Sequence, residues 1–236
     1  PASILSIGFN ATYIGISAFA FSTSLIGNLR IPSSVKNVSN TAFAGCSNFD
    51  GRLTIENGVE TLGLRAFDGC SSFSGDLTIP QSVTGLGWRC FQDCSSFNGN
   101  LFINTTGIKE IEFDTFHNCS SFIGDLTIPD GVTAIGSNAF GDCTSFDGEL
   151  SLPEGLTSIG AGAFNNCNSL VGGVVFPDSL TSIGNSAFQN CDSIQSLFFG
   201  NSSLTIGTSA FNSCDNLAGE LIINNKTLFV NSKKSK

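Results

Sequence analysis

The sequence predicts a repeat solenoid of α/β class. Short parallel strands would line the concave face of a horseshoe or arc, with turns and short helical turns on the convex face. Three observations predict it. Cysteines recur at 46, 70, 94, 119, 143, 167, 191 and 214, with spacings of 24, 24, 25, 24, 24, 24 and 23 residues. A phenylalanine stands three residues before each of them, from Phe43 to Phe211. Five of the six prolines (Pro32, Pro80, Pro129, Pro153, Pro177) share one phase of the same period. Self-similarity at a fixed period of about 20–50 residues marks stacked supersecondary units.

With Cys as position one, the unit reads C-x-x-F-x-G-x-L-x-I-P-x-x-V-x-x-I-G-x-x-A-F-x-x. L-x-I is a short strand whose two apolar residues point to one face, because side chains alternate along a strand. Gly at position six permits positive φ or close backbone approach where that strand begins. Pro at position 11 stops it, lacking the N–H that would extend the ladder. V-x-x-I-G is a second extended or turning segment. The x-x-A-F-x-x-C stretch suits one helical turn, with Ala, Phe and Cys facing inward.

A single unit cannot bury its apolar face, whereas stacked units cover one another. Ten L-x-I segments at roughly 4.8 Å each predict a rod or arc of about 45 Å. Leu5, Ile7 and Ile14-Gly15 are already in phase. Residues 1–223 therefore read as one solenoid: a partial first repeat over 1–21, about eight full repeats and a partial last one. Residues 224–236 read as a C-terminal end with a basic tail, Lys233, Lys234 and Lys236, a solvated end rather than a lipid anchor.

The pattern L-x-I-P-x-x-V-x-x-I-G-x-x-A-F-x-x-C, as in residues 126–143 and 150–167, resembles the leucine-rich repeat of the BspA type. The resemblance covers nearly the whole chain. It implies a surface or secreted protein, of the kind found in mucosal bacteria and protist parasites, that takes part in adhesion and binds host or extracellular-matrix proteins. Two departures stand out: the repeat is mostly 24 residues rather than the 23 common in bacterial members, and the terminal repeats degrade.

Composition narrows the function. Only 12% of residues are charged, and 10 Lys+Arg face 19 Asp+Glu for a net −9. A nucleic-acid binder needs a basic surface to replace counterions, so that class is excluded. No stretch approaches the ~18 consecutive apolar residues of a membrane span. The chain starts at Pro1 and has no Met, which predicts a trimmed or mature fragment with any targeting signal outside it.

Nine cysteines first suggest a disulfide scaffold. Eight share one repeat position, however, and stacked side chains point in parallel, which disfavours disulfide geometry. They read as small buried hydrophobes. Cys90 fills the slot of Ala42, Ala66 and Ala139. No C-x-x-C pair offers convergent zinc ligands. The single histidine, His117, sits at a turn position and reads as a surface residue. No phosphate loop, H-E-x-x-H or calcium repeat occurs, so no cofactor, no metal and no catalysis are expected. Six N-x-S/T sequons, at Asn10, Asn37, Asn104, Asn118, Asn201 and Asn225, are near chance in so Asn- and Ser-rich a chain.

Function in a solenoid sits on positions that the repeat leaves free. The outward positions of the L-x-I strand, seven and nine with five beside them, single out Asp76, Asn100, Phe102, Asp125, Asp147, Glu149, Val175 and Phe198 as ligand-binding candidates. Asp125 and Glu149, equivalent in adjacent strands, predict an acidic stripe for a basic partner or a cation; a solvated, solubilising stripe is the alternative. Phe102, Val175 and Phe198 stand among threonines, as hot spots or as packing against loops. Trp88 reads as a cover over the Phe91 ladder. The expected function is a non-enzymatic protein-binding or adhesion module, extracellular or at the cell surface, with a host, matrix or cell-surface protein as partner. The rival is a spacer with no specific ligand. A ranked-threonine face for ice or mineral is interrupted by Phe102 and Ser151. End strands could also pair with a second copy.

Overall fold

The computed structural model describes residues 7–8, 10–201, 203–217, 220–223 and 226–229. The expectations placed on Leu5, on the sequon at Asn225 and on the basic tail lie outside these. Each L-x-I segment is a strand. They run Leu29–Ile31, Leu53–Ile55, Leu77–Ile79, Leu101–Ile103, Leu126–Thr127, Leu150–Ser151, Gly173–Phe176, Ser196–Phe199 and Glu220–Ile223. Where neighbours pair they are parallel and offset by one unit, with Leu29 opposite Leu53 and Leu126 opposite Leu150; strand pairing breaks between 55 and 77, between 103 and 126, and between 151 and 173. In the first four, Leu and Ile are buried and the residue between them is exposed. Lys226–Phe229 folds back antiparallel on Glu220–Ile223, unlike the other described pairings.

The V-x-x-I-G segments form a second ladder of two-residue strands, from Tyr13–Ile14 to Thr205–Ile206. It is interrupted between Gly85–Leu86 and Glu110–Ile111. That break falls at the 25-residue spacing, where the extra residue lies within 104–107. Buried Thr105 fills the bulge. Its hydroxyl donates to the Val83 carbonyl and accepts from the Gly107 amide. Both hydrogen-bonding directions of a fully buried hydroxyl are thereby used.

The third side corrects the α/β expectation: the described residues contain no helix. The x-x-A-F-x-x-C stretch is a chain of turns. Ala42, Ala44 and Cys46 donate to carbonyls three residues back, Ser39, Thr41 and Phe43. The intervening amides leave the unit: Thr41 donates to Leu64, Phe43 to Ala66 and Gly45 to Asp68, at 2.7–2.8 Å. A helical turn would keep those amides inside its own segment. Spending every second one on the next unit makes a third inter-unit ladder. Positions 20 and 24 carry the cost, with positive φ in every described unit, as at Thr41 (54°) and Gly45 (70°) or Asn138 (51°) and Asp142 (60°). Gly, Asn and Asp tolerate that region best, and they fill ten of these eighteen positions.

Inside, phenylalanine rings stack the length of the molecule. Phe19, 43, 67, 91, 116, 140, 164, 188 and 211 follow at 4.9–5.5 Å between centroids. A second column, Phe49, 73, 97, 122 and 146, runs beside it at 5.2–5.8 Å. These spacings suit offset-stacked rings, and each buried ring contributes roughly 2–3 kcal/mol by transfer from water.

The nine cysteines are buried free thiols. They are more than small hydrophobes. Each repeat cysteine donates its S–H to the ladder-Phe carbonyl of the preceding unit, from Cys46 on Phe19 to Cys214 on Phe188, at 2.9–3.1 Å. A thiol is small enough for the column and still supplies a donor to a buried carbonyl.

Candidate functional site

The outward face of the first ladder holds every residue singled out from the sequence, in two roles. Short acidic and amide side chains at positions five and seven cap the edge where the strands begin, from Gly27 to Glu149. Asp76 Oδ1 accepts the Asn100 amide at 2.8 Å, and Asp125 Oδ1 the Glu149 amide at 2.8 Å. Asp147 Oδ1 accepts the Gly124 amide at 2.7 Å. An Asx side chain reaches one rung and no further, which suits it to this task. The second Asp76 oxygen lies 3.9 Å from Arg52 Nη1. Asn100 is half-buried, its Oδ1 beside Gly124. Asp125, Asp147 and Glu149 are exposed. The acidic stripe is therefore partly a row of backbone caps.

The apolar candidates divide. Phe102 is 45% exposed beside Thr78. Val175, 61% exposed, pairs directly with half-buried Phe198. Together with Glu154, Phe176, Asp178 and Gly200 they line a hollow of about 370 Å³. Phe102 lies three rungs before Val175 and does not line it.

Charge is segregated along the solenoid. Residues 1–109 hold six Lys+Arg and six Asp+Glu; residues 110–225 hold thirteen Asp+Glu and no Lys or Arg. In the first part five of the six bases are paired: Arg30 with Glu56, Lys36 with Glu60, Arg52 with Asp76, Arg65 with Asp68, and Arg89 with Asp114 across the boundary. In the second part the described ion pair is His117 with Asp142, at 3.6 Å. Among the described residues Asp125, Asp130, Asp147, Glu149, Glu154 and Asp178 make none.

Two features escaped the sequence reading. His117 is not a plain surface residue: its side chain is 27% exposed and its Nδ1 is buried without a partner, over Gly141. Trp88 does not serve as a lid on the Phe91 column. It is 57% exposed, donates its indole N–H to Glu112 at 2.8 Å and meets Phe113 edge-on at 6.4 Å. Arg89 lies 5.2 Å over the Phe113 ring. Leu64, Trp88 and Phe113 occupy position 19 in three successive units, so reading that position across units, rather than along the chain, would have found this apolar row.

The described residues contain no group of three or more metal-ligating side chains placed to hold an ion, and no helix long and apolar enough to cross a membrane.

The comparisons agree with this architecture. None of the curated proteins compared with the chain matches it. Among solved structures it is similar to a leucine-rich cell surface protein of Faecalibacterium prausnitzii, at 21% identity and TM-score 0.54, over 90% of this chain and 69% of that one. It is similar to a T. pallidum leucine-rich repeat protein at 24% identity and TM-score 0.54, over 80% and 77%. Both likenesses concern the fold. The model of the BspA-type leucine-rich repeat region matches residues 12–147 and 148–233. Ladders, period and family model thus coincide over the same residues, and the chain belongs to the BspA-type leucine-rich repeat family.

Proposed function

We propose that this chain is a non-enzymatic binding module of a cell-surface or secreted protein. It docks a basic host, matrix or cell-surface protein on the outward face of the first ladder, between Asp125 and Gly200. The observation that carries the reading is the charge segregation. Within 110–225 there is no Lys or Arg, and Asp125, Asp130, Asp147, Glu149, Glu154 and Asp178 have no ion-pair partner among the described residues, whereas five of the six bases of the preceding half are paired. Such a field speeds encounter with a basic partner and selects its orientation. Exposed Val175 adds apolar contact within this region. The cell-surface description of the F. prausnitzii relative fits this setting.

The test is binding to a panel of purified matrix and host surface proteins at low and high salt. Asp125→Asn with Glu149→Gln neutralises the stripe while keeping the Asp125 amide cap. The expected result is a basic partner whose affinity falls with salt and in this variant. Partners that bind the variant equally well overturn the reading. The spacer alternative draws on the capping role of Asp76, Asp125 and Asp147, which explains those residues without a ligand. It predicts no partner in the panel.

A further inference from the structure

The hollow beside Val175 and Phe198 is not a product of repetition. Three departures from the unit build it. Position nine is Thr or Ser at 54, 78, 127 and 151, yet here Val175 and Phe198 stand side by side on paired strands. Position seven of the Val175 unit is Gly173. A Cβ there would come within 2.8 Å of Phe198 Cε2, so the absent side chain gives the ring its place. Position 11, proline in five units, is Gly200. A Cβ at 200 would collide with the Asp178 carboxylate, so glycine leaves that carboxylate room at the mouth. Glu154 and Asp178, equivalent in successive units, supply two exposed carboxylates on one rim. Among the described residues neither has an ion-pair partner.

We propose that this hollow receives one arginine side chain of the partner. The methylene stem lies on Val175 and Phe198, and the guanidinium sits between Glu154 and Asp178. The inference rests on the binding role proposed above and names the group recognised. The chemistry is complementary at each point. An arginine stem buries apolar area while its head stays at the polar rim. The planar guanidinium stacks on an aromatic face and forks to carboxylates, which a lysine ammonium does less well. Rungs lie about 4.8 Å apart, so a single head group can reach carboxylates from both.

The experiment is amide-resolved NMR titration of the full chain with three capped pentapeptides, Gly-Gly-X-Gly-Gly, where X is arginine, lysine or citrulline. Arginine is expected to shift amides of residues 173–178 and 196–200 in a saturable manner. Citrulline, which keeps the shape and loses the charge, is expected to bind at least about tenfold more weakly, with lysine between. Glu154→Gln with Asp178→Asn should abolish the arginine shifts, and Phe198→Thr, the residue type common at that position, should weaken them. The same spectra report whether each variant is folded. Equal binding of citrulline, an unaffected folded double variant, or no shift at all overturns the proposal. Shifts spread evenly over Asp125 to Glu149 also overturn it, while leaving the acidic docking face standing.

Discussion

Raising the pH should unfold this protein through its thiols. Burial holds the seven cysteines from Cys70 to Cys191 well above the ordinary thiol range, and Cys214 at about 11. The unfolded chain titrates near the free value of about 8.5. Above that pH the unfolded state has shed protons that the folded state retains. It then binds fewer protons, and stability must fall as pH rises. Below about pH 8 both states are protonated and the thiols contribute no slope. At pH 10 each exposed thiol favours unfolding by about 2 kcal/mol, and by about 1.4 kcal/mol for each further pH unit. Seven released together amount to about 14 kcal/mol, comparable with the whole stability of a domain, about 5–15 kcal/mol. The assay is urea unfolding followed by far-ultraviolet circular dichroism at pH 8, 9 and 10, with reductant present. The midpoint should fall steeply above pH 8.5. Replacing Cys143 and Cys167 by alanine should reduce the slope by about two protons. Equal midpoints at pH 8 and 10, or an unchanged slope in the double variant, would refute the reasoning.

Other perturbations test single rungs. Phe116→Ala removes a ring stacked between Phe91 and Phe140 at 5.5 and 5.4 Å; thermal unfolding should show a loss of about 3–5 kcal/mol, and Phe116→Leu a smaller one. Asp125→Ala orphans the Glu149 amide and should cost about 1 kcal/mol in denaturant titration, whereas Asp125→Asn, which keeps the acceptor, should cost little. Ser186 holds φ of 54° on a half-buried turn. Ser186→Gly relieves about 1–2 kcal/mol of left-handed strain against a glycine entropy cost of about 0.5–1 kcal/mol, so melting should rise slightly.

Much of the fold was legible because its information is periodic. Leu29, Leu53, Leu77 and Leu101 sit at one phase of the repeat, and the strands pair at that phase, Leu29 with Leu53 and Leu77 with Leu101. The Phe and Cys columns were legible for the same reason. The convex segment was misread because A-F-x-x-C has helical spacing, and nothing along the chain reveals that alternate amides bond the neighbouring unit. Asp125 was legible as an outward acid, though not as the cap of Glu149, since its acceptor role depends on a backbone one rung away. Val175 and Phe198 were found as exceptions to a threonine row. Their partners Glu154 and Asp178 were not, because nothing along the chain shows that position 12 of two successive units lines the same hollow.

The sequence alone therefore determined the period, the phase and the composition of the buried columns, since identical residues at identical phases must stack once units stack. It also determined the charge of each half. The tertiary structure decided what the polar groups do. The amides of positions 20, 22 and 24, the S–H of each repeat cysteine and the caps at positions five and seven all find partners about 24 residues away. A hydrogen bond across rungs depends on the rise and tilt between units, and no single unit encodes those.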